Sequence, residues 1–161
     1  WIKRQEVQPD ILVFLDGDYS DYPEELEGLI APILADEADL VIGSRSMGQR
    51  EAGSMTFPQV FGNELATLLM RWMYSAKFSD LGPFRAISWN KLLDLGMVDQ
   101  NFGWTIEMQI KAHQAGLSYA EVPVTYRKRI GVSKVSGTVK GVIGAGYKII
   151  FTIFKYWRPI R

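Results

Sequence analysis

Asp16 and Asp18 place two carboxylates one residue apart, around Gly17, at the end of the apolar run Ile11-Leu12-Val13-Phe14-Leu15. Such a pair can hold a hard divalent cation against a diphosphate, because the cation takes oxygen ligands and shares its sphere between protein and phosphate. The alternative is an ordinary acidic turn, with Gly17 permitting a tight bend. A second chemically dense stretch lies far along the chain, where Arg127, Lys128, Arg129 and Lys134 crowd a Gly- and Ser-containing loop that ends at Thr138. There is no cysteine, and His113 is the one histidine. Disulfides, thiolate metal sites and cysteine nucleophiles are thereby excluded, as are a His-rich metal site and a serine triad through a second histidine.

Positioning these residues requires an alternation of strands and helices. Residues 10–16 read as a short continuous apolar strand, buried on both faces of a parallel sheet, and ligands of open α/β sheets bind at the carboxyl edge where Asp16 falls. Pro23-Glu24-Glu25 suits a helix opening, followed by helically spaced Leu26, Leu29, Ile30, Ile33 and Leu34, with Pro32 kinking or shortening the helix. Residues 39–43 form a second buried strand, leading into a loop from Ser44 to about Pro58. Residues 60–76 are helical and apolar nearly all round, so that helix is buried or faces something other than water. A strand at 84–89, a short helix at 90–95, a helix at 105–115 closed by Gly116, a strand at 117–127 and a last helix at 139–157 complete the series. The class is α/β with a largely parallel sheet.

Charge is distributed unevenly. Residues 1–51 hold 12 acidic and four basic side chains, whereas residues 122–161 hold nine basic and no acidic ones. The last helix sets Lys140, Lys148 and Lys155 on one arc and Val142, Ile149, Ile150, Ile153 and Trp157 opposite, the pattern of a helix that meets anionic lipid or of one packed on its own sheet. No apolar run reaches the ~20 residues of a membrane span. The acidic first third argues against a nucleic-acid partner. Apolar residues make up 47% and charged residues 22% of the 161, which excludes disorder.

The Asp-x-Asp pattern after an apolar strand also occurs in haloacid dehalogenase-type phosphatases. Those enzymes expect Thr or Val where Ser20 stands, and a later strand ending in paired acids that this sequence lacks. Further segments point elsewhere. Gly43-Ser44-Arg45, Asp80-Leu81-Gly82-Pro83-Phe84-Arg85, Phe102-Gly103-Trp104-Thr105-Ile106-Glu107 and Glu121-Val122-Pro123-Val124-Thr125-Tyr126-Arg127, running into the basic loop, follow the Asp-x-Asp in order. Together the set resembles family 2 glycosyltransferases of the GT-A fold, near the dolichyl-phosphate mannose synthase-like branch, across essentially all of residues 10–157.

The resemblance implies a Rossmann-like, mostly parallel sheet flanked by helices and lacking the family's first β-α-β portion, so the chain is expected to be an N-terminally truncated piece. Residues 1–138 would be the C-terminal part of the GT-A domain and residues 139–161 a basic amphipathic helix and tail. Asp16 and Asp18 match the ligands of Mg2+ or Mn2+ and of the nucleotide-sugar diphosphate, with Asp18 counted as catalytic. Ser20 stands where some relatives carry Gln. Arg129 and Lys134 match the loop that folds over the diphosphate. Arg45 matches a position near an acceptor phosphate, and Asp80 and Arg85 are grouped with it, Arg85 being expected to pair with a buried carboxylate such as Asp80. Glu107 is the candidate base for a hydroxyl acceptor, and His113 is structural. The implied activity is inverting transfer of a hexose from a UDP- or GDP-sugar to a polyprenyl (dolichyl or undecaprenyl) phosphate or related cell-envelope acceptor, at the cytoplasmic face of the membrane. A homo-oligomer is left open. The alternatives are a sugar-hydroxyl acceptor with Glu107 as base, and a non-catalytic, membrane-associated module that binds nucleotide-sugar or lipid.

Overall fold

The structure, a computed structural model, describes residues 2–131, 133 and 138–157. In chain order the elements are β1 (Ile11–Phe14), a 3-10 turn (Pro23–Glu25), α1 (Leu26–Leu34), β2 (Leu40–Ser44), α2 (Phe57–Tyr74), β3 (Arg85–Ser88), α3 (Trp89–Asp94), α4 (Trp104–Gln114), β4 (Tyr119–Pro123) and α5 (Val139–Tyr156). The four strands form one sheet in the order β1-β3-β2-β4. β2 and β4 pair in parallel, while β3 runs antiparallel to both β1 and β2. Three strands therefore point the same way, as the α/β pattern predicts, and β3 is the reversed member.

Strand alternation divides the core into two layers. Leu40, Ile42 and Ile87 point to one face, where they meet Met70, Tyr74, Ile106, Ile110 and Ile153 from α2, α4 and α5. Val41 and Ala86 point to the other, against Leu29 and Ile33 of α1. β2 is buried along its whole length, as expected for a central strand, but the four residues of β1 are only half-buried. The physical reason is position: β1 lies at one edge of the described sheet and pairs on one side alone.

Local chemistry explains where the helices start and stop. α2 begins three residues earlier than its apolar pattern predicts, because Thr56 and Gln59 form a capping box. It ends at Ser75, whose φ of +59° turns the chain away. α1 stops two residues after Pro32, whose carbonyl accepts from the amides of Glu37 and Ala38. α5 takes the second of its two expected forms, packed against the body of the fold. Ile153 is fully buried in the same core as the sheet, Lys148 pairs with Asp99 at 2.9 Å, and the Tyr74 hydroxyl donates to the Ile153 carbonyl. The helix thus contributes side chains to the same core as α2 and α4.

Candidate active site

The loop after β1 carries the acids. The Asp18 carboxylate is held from two sides: Oδ1 accepts from the amide and hydroxyl of Ser20 at 3.0 and 2.5 Å, and Oδ2 pairs with the Arg129 guanidinium at 2.7 Å. Ser20 is fully buried, so it orients Asp18 and is not itself an outward-facing ligand. The left-handed residue of this turn is Tyr19, with φ of +73°, and not Gly17 as the sequence suggests. A side chain at Gly17 would meet nothing within 4 Å, so the space before the loop is open. The Asp16 carboxylate makes no hydrogen bond or ion pair among the described residues. Burial, and then the neighbouring negative charge of Asp18, raise its pKa above the ordinary carboxylate value.

A third acid escapes the Asp-x-Asp pattern. Asp21 is only 2% exposed and neither carboxylate oxygen has a hydrogen-bond partner of ordinary geometry. Burial, with the charge of Asp16 added, pushes its pKa up to about 6. The spacing Asp-x-Asp-x-x-Asp is visible in the sequence, but only the fold reveals that the last member points inward.

The basic segment following β4 is laid directly on the acidic loop. The Arg127 and Ile130 amides donate to the carbonyls of Ser20 and Asp18 at 3.0 and 2.9 Å, and Asp21 and Tyr126 form an isolated bridge. The Arg127 guanidinium lies 3.3 Å from the Tyr19 ring centre and 4.0 Å from that of Tyr22, and its Nε donates to the Tyr19 carbonyl. Cation–π stacking thus pins the strained residue of the turn. Lys128 is tied to Glu51 through both its amide and its ammonium. Lys134 lies outside the described residues.

Arg45 leaves β2 and is almost buried, and it makes a two-pronged pair with Asp80: Nε to Oδ2 at 3.0 Å and Nη2 to Oδ1 at 2.6 Å. Gly48 lets this loop approach β4, since a Cβ there would collide with the Val124 backbone. The expected Arg85–Asp80 pair is therefore overturned; Arg45 takes Asp80 first. Arg85 is completely buried, donates to the carbonyls of Gly82 and Thr105, and stacks 5.1 Å from Trp104. Burial without a bonded carboxylate pulls its pKa down to about 9. At zero exposure Arg85 has no surface to offer an acceptor, and its grouping with acceptor-binding residues is corrected. Above Arg45, a cleft of about 240 Å³ opens between α2 and α5, with Gln59, Asn63, Leu81, Val142 and Ile149 among its walls.

Glu107 is also corrected. Its carboxylate is fully buried and accepts from the amides of Val98 and Asp99, from the Tyr156 hydroxyl at 2.8 Å and from Lys111 at 2.8 Å. Burial alone would raise its pKa, but Lys111, the Asp99 amide and Tyr156 outweigh it and hold the group below the ordinary value. A carboxylate so saturated is a clamp joining α4, α5 and the 97–99 turn, with no lone pair left for a substrate proton. His113 bonds the Tyr74 carbonyl at 2.8 Å, the structural role expected of it.

Among the described residues no group of three or more His, Asp or Glu side chains forms a metal cage. The pair Asp16 and Asp18 nonetheless suits Mg2+ or Mn2+, which bind through one or two carboxylates and complete their shell with water and phosphate oxygens. The Asp16 carboxylate is unengaged among the described residues, the donors are hard oxygens, and the adjoining space is open.

Comparison with known proteins bears on family and fold. The sequence profile described as Glycosyl transferase family 2 matches residues 5–93. An uncharacterized glycosyltransferase of Mycobacterium bovis is 33% identical over 155 residues, covering 93% of this chain and 65% of the relative. The undecaprenyl-phosphate mannosyltransferase of Micrococcus luteus is 30% identical, covering 82% of this chain and 56% of its own length. The chain thus spans less than two thirds of either relative. In fold it superposes on glucosyl-3-phosphoglycerate synthase of Mycobacterium tuberculosis, solved with Mn2+, UDP and glucosyl-3-phosphoglycerate, with a TM-score of 0.68 at 19% identity, covering 94% of this chain and 50% of that one.

Proposed function

Because the chain belongs to glycosyltransferase family 2, we propose that it forms the cation-binding and acceptor side of an inverting, metal-dependent hexosyltransferase. The donor is a UDP- or GDP-sugar, and the acceptor is a polyprenyl phosphate or a related cell-envelope phosphate. The observation that carries this reading is the meeting of Asp16 and Asp18 with Arg129, a cation-holding pair set beside an anion-holding guanidinium. A bound divalent cation would neutralise the diphosphate and ease departure of the nucleoside diphosphate. Asp18, oriented by Ser20, holds the donor end, and Arg129 donates to the charge that develops on the leaving group. Lys134 is assigned the same task from the family resemblance.

The acceptor half of the proposal draws on Arg45 and Glu107. Arg45, kept charged by Asp80, lies in the wall of an otherwise largely apolar cleft, as an anionic head on an apolar chain requires. A phosphate monoester is already anionic near neutral pH and can attack the anomeric carbon without a general base. Engagement of Glu107 by four donors therefore favours a phosphate acceptor over a sugar hydroxyl that would need Glu107 as its base.

Peripheral contact with the cytoplasmic face of a membrane is supported by the surface around the cleft. Phe57, Phe61, Leu68 and Trp72 are exposed along one side of α2, interrupted by Glu64, and Val139, Ile143 and Tyr147 are exposed on α5, which packs beside it. An exposed apolar face of this extent, with Lys140 and Lys155 on the same helix as its α5 portion, fits an anionic lipid surface. No described helix is long and apolar enough to cross a membrane.

The test is to offer the full-length protein UDP- and GDP-hexoses with undecaprenyl phosphate and to weigh the products by mass spectrometry. A glycosyl phosphopolyprenol that disappears in excess chelator and in Asp18→Asn is the expected result. Transfer to a sugar hydroxyl alone would replace the acceptor, and undiminished turnover in chelator would remove the cation from Asp16 and Asp18. Liposome binding that survives Asp18→Ala, with no transfer to any acceptor, would leave a non-catalytic module.

A further inference from the structure

The two oxygens of Asp18 are held by different kinds of partner. Oδ1 is satisfied by the neutral Ser20, which is buried and fixed, while Oδ2 faces the Arg129 guanidinium at 2.7 Å. Among the described residues the Asp16 carboxylate, two residues away, has no hydrogen-bond or ion-pair partner, and the buried oxygens of Asp21 have none of ordinary geometry. Arg45 is near but committed to Asp80 by two short bonds. Among the described residues, Arg129 is the cation that ion-pairs directly with the acidic loop.

We infer that Arg129 is the resident counter-ion of the Asp-x-Asp loop, occupying the carboxylate oxygen that a divalent cation needs, and that cation binding exchanges its guanidinium from Asp18 to the donor diphosphate. This rests on the assignment of Asp16 and Asp18 as cation ligands. The neighbours of Arg129 explain why it is the residue free to exchange. Arg127 is stacked between Tyr19 and Tyr22, and Lys128 is held to Glu51 at both ends. The Arg129 side chain, by contrast, is 27% exposed and can rotate into solvent without disturbing the core. Two residues on, Gly131 adopts φ of +92°, a backbone conformation that favours glycine.

The balance of charge sets the direction of exchange. A partly exposed ion pair is weak, so a doubly charged ion chelated by two carboxylates displaces a single guanidinium readily. The displaced group remains tethered beside the site, where the diphosphate is the next anion within reach. One guanidinium thus serves two anions that cannot hold it together: Asp18 before the cation arrives, and the leaving group after. The outcome is positive coupling between cation and nucleotide, each favouring the arrangement the other needs. It also shields the acid pair from self-repulsion while the site is unloaded.

The experiment is Mn2+ titration of the full-length protein followed by electron paramagnetic resonance of free Mn2+, with and without UDP or GDP, in wild type, Arg129→Gln and Arg129→Lys. Without nucleotide, Arg129→Gln should bind Mn2+ about two- to fivefold more tightly, since the competing ion pair is gone. With nucleotide present it should bind Mn2+ more weakly than wild type, and Arg129→Lys should fall between the two. The opposite signs separate exchange from a merely structural role, which would weaken binding in both conditions. Equal or weaker Mn2+ affinity of Arg129→Gln without nucleotide overturns the exchange. Mn2+ binding unaffected by Asp18→Asn overturns the ligand assignment on which it rests, and the two failures are distinguishable.

Discussion

Replacing Glu107 by Gln separates a clamp from a base. In the folded protein its carboxylate receives two backbone amides, a tyrosine hydroxyl and Lys111, whose own side chain is only 16% exposed. The amide of Gln would turn an NH2 group toward at least one of these donors and would leave Lys111 without its counter-charge. Removing one partner of a buried pair costs about 3–5 kcal/mol, reduced here by the partial exposure of Lys111, so a loss of about 2–4 kcal/mol is expected. For a domain of this size that is roughly 5–15 °C in Tm. The pH dependence has a fixed sign. Glu107 has a lowered folded pKa, so its contribution is present above its unfolded pKa of about 4.5 and is lost as pH falls through the folded value. The gap in Tm between wild type and Glu107→Gln should therefore be full at pH 7 and narrow progressively below about pH 4.5. Thermal melts of the full-length protein across that range measure it, and turnover is measured well below the melting range. Turnover within a few-fold of wild type, with the melt lowered, is the expected pair of results. An unchanged melt together with a loss of turnover beyond about a hundredfold, the scale of general-base catalysis, would refute the clamp and restore Glu107 as the base.

Three other perturbations give separate outcomes. Asp80→Asn should cost about 3 kcal/mol or more in urea denaturation, because it leaves the nearly buried Arg45 without its carboxylate, and a loss below about 1 kcal/mol would mean that Arg45 finds water instead. Asp21→Asn should stabilise the cation-free protein by up to about 3 kcal/mol at pH 8 and by little at pH 4, since a raised folded pKa makes the charged form costly only as pH climbs through about 6; a pH-independent effect would contradict the burial of that charge. Paired substitution of Phe61 and Trp72 by Glu should weaken co-sedimentation with anionic liposomes while leaving the melt nearly unchanged, because both rings are more than half exposed, and unaltered co-sedimentation would return the α2 face to plain solvent.

What could be read from the sequence was local, and what could not was long-range. The apolar runs that became β1 and β2, the acids at Asp16 and Asp18, and the closure of α4 at Gly116 each depend on neighbours within a few residues. The Arg45–Asp80 pair crosses 35 residues, and a linear reading offered Arg85, five residues from Asp80, as the nearer partner. Glu107 resembled a base because it opens a helix beside a glycine-aromatic turn, yet Lys111, one helical turn on, already signalled an ion pair. The stack of Arg127 on Tyr19 and Tyr22 left no local trace, since its members are more than 100 residues apart and only the sheet brings them together. The apolar pattern of α2 left open burial or a face toward something other than water, and the packing of its neighbours covers only part of its circumference.

The span of these contacts also bears on the order in which the molecule assembles. Glu25 receives the amide of Thr125, Arg127 reaches Tyr19, and Lys128 reaches Glu51, joining residues between 77 and 108 positions apart. Loops of that length close slowly and gain nothing until both ends have met. The acidic loop leaves a translating ribosome well before its basic partner exists, and until β4 pairs with β2 nothing holds Tyr19 in its left-handed conformation. The cation-holding geometry is therefore among the last features to form, and a nascent chain lacking residues beyond Val124 would carry the acids without the shape that makes them a site.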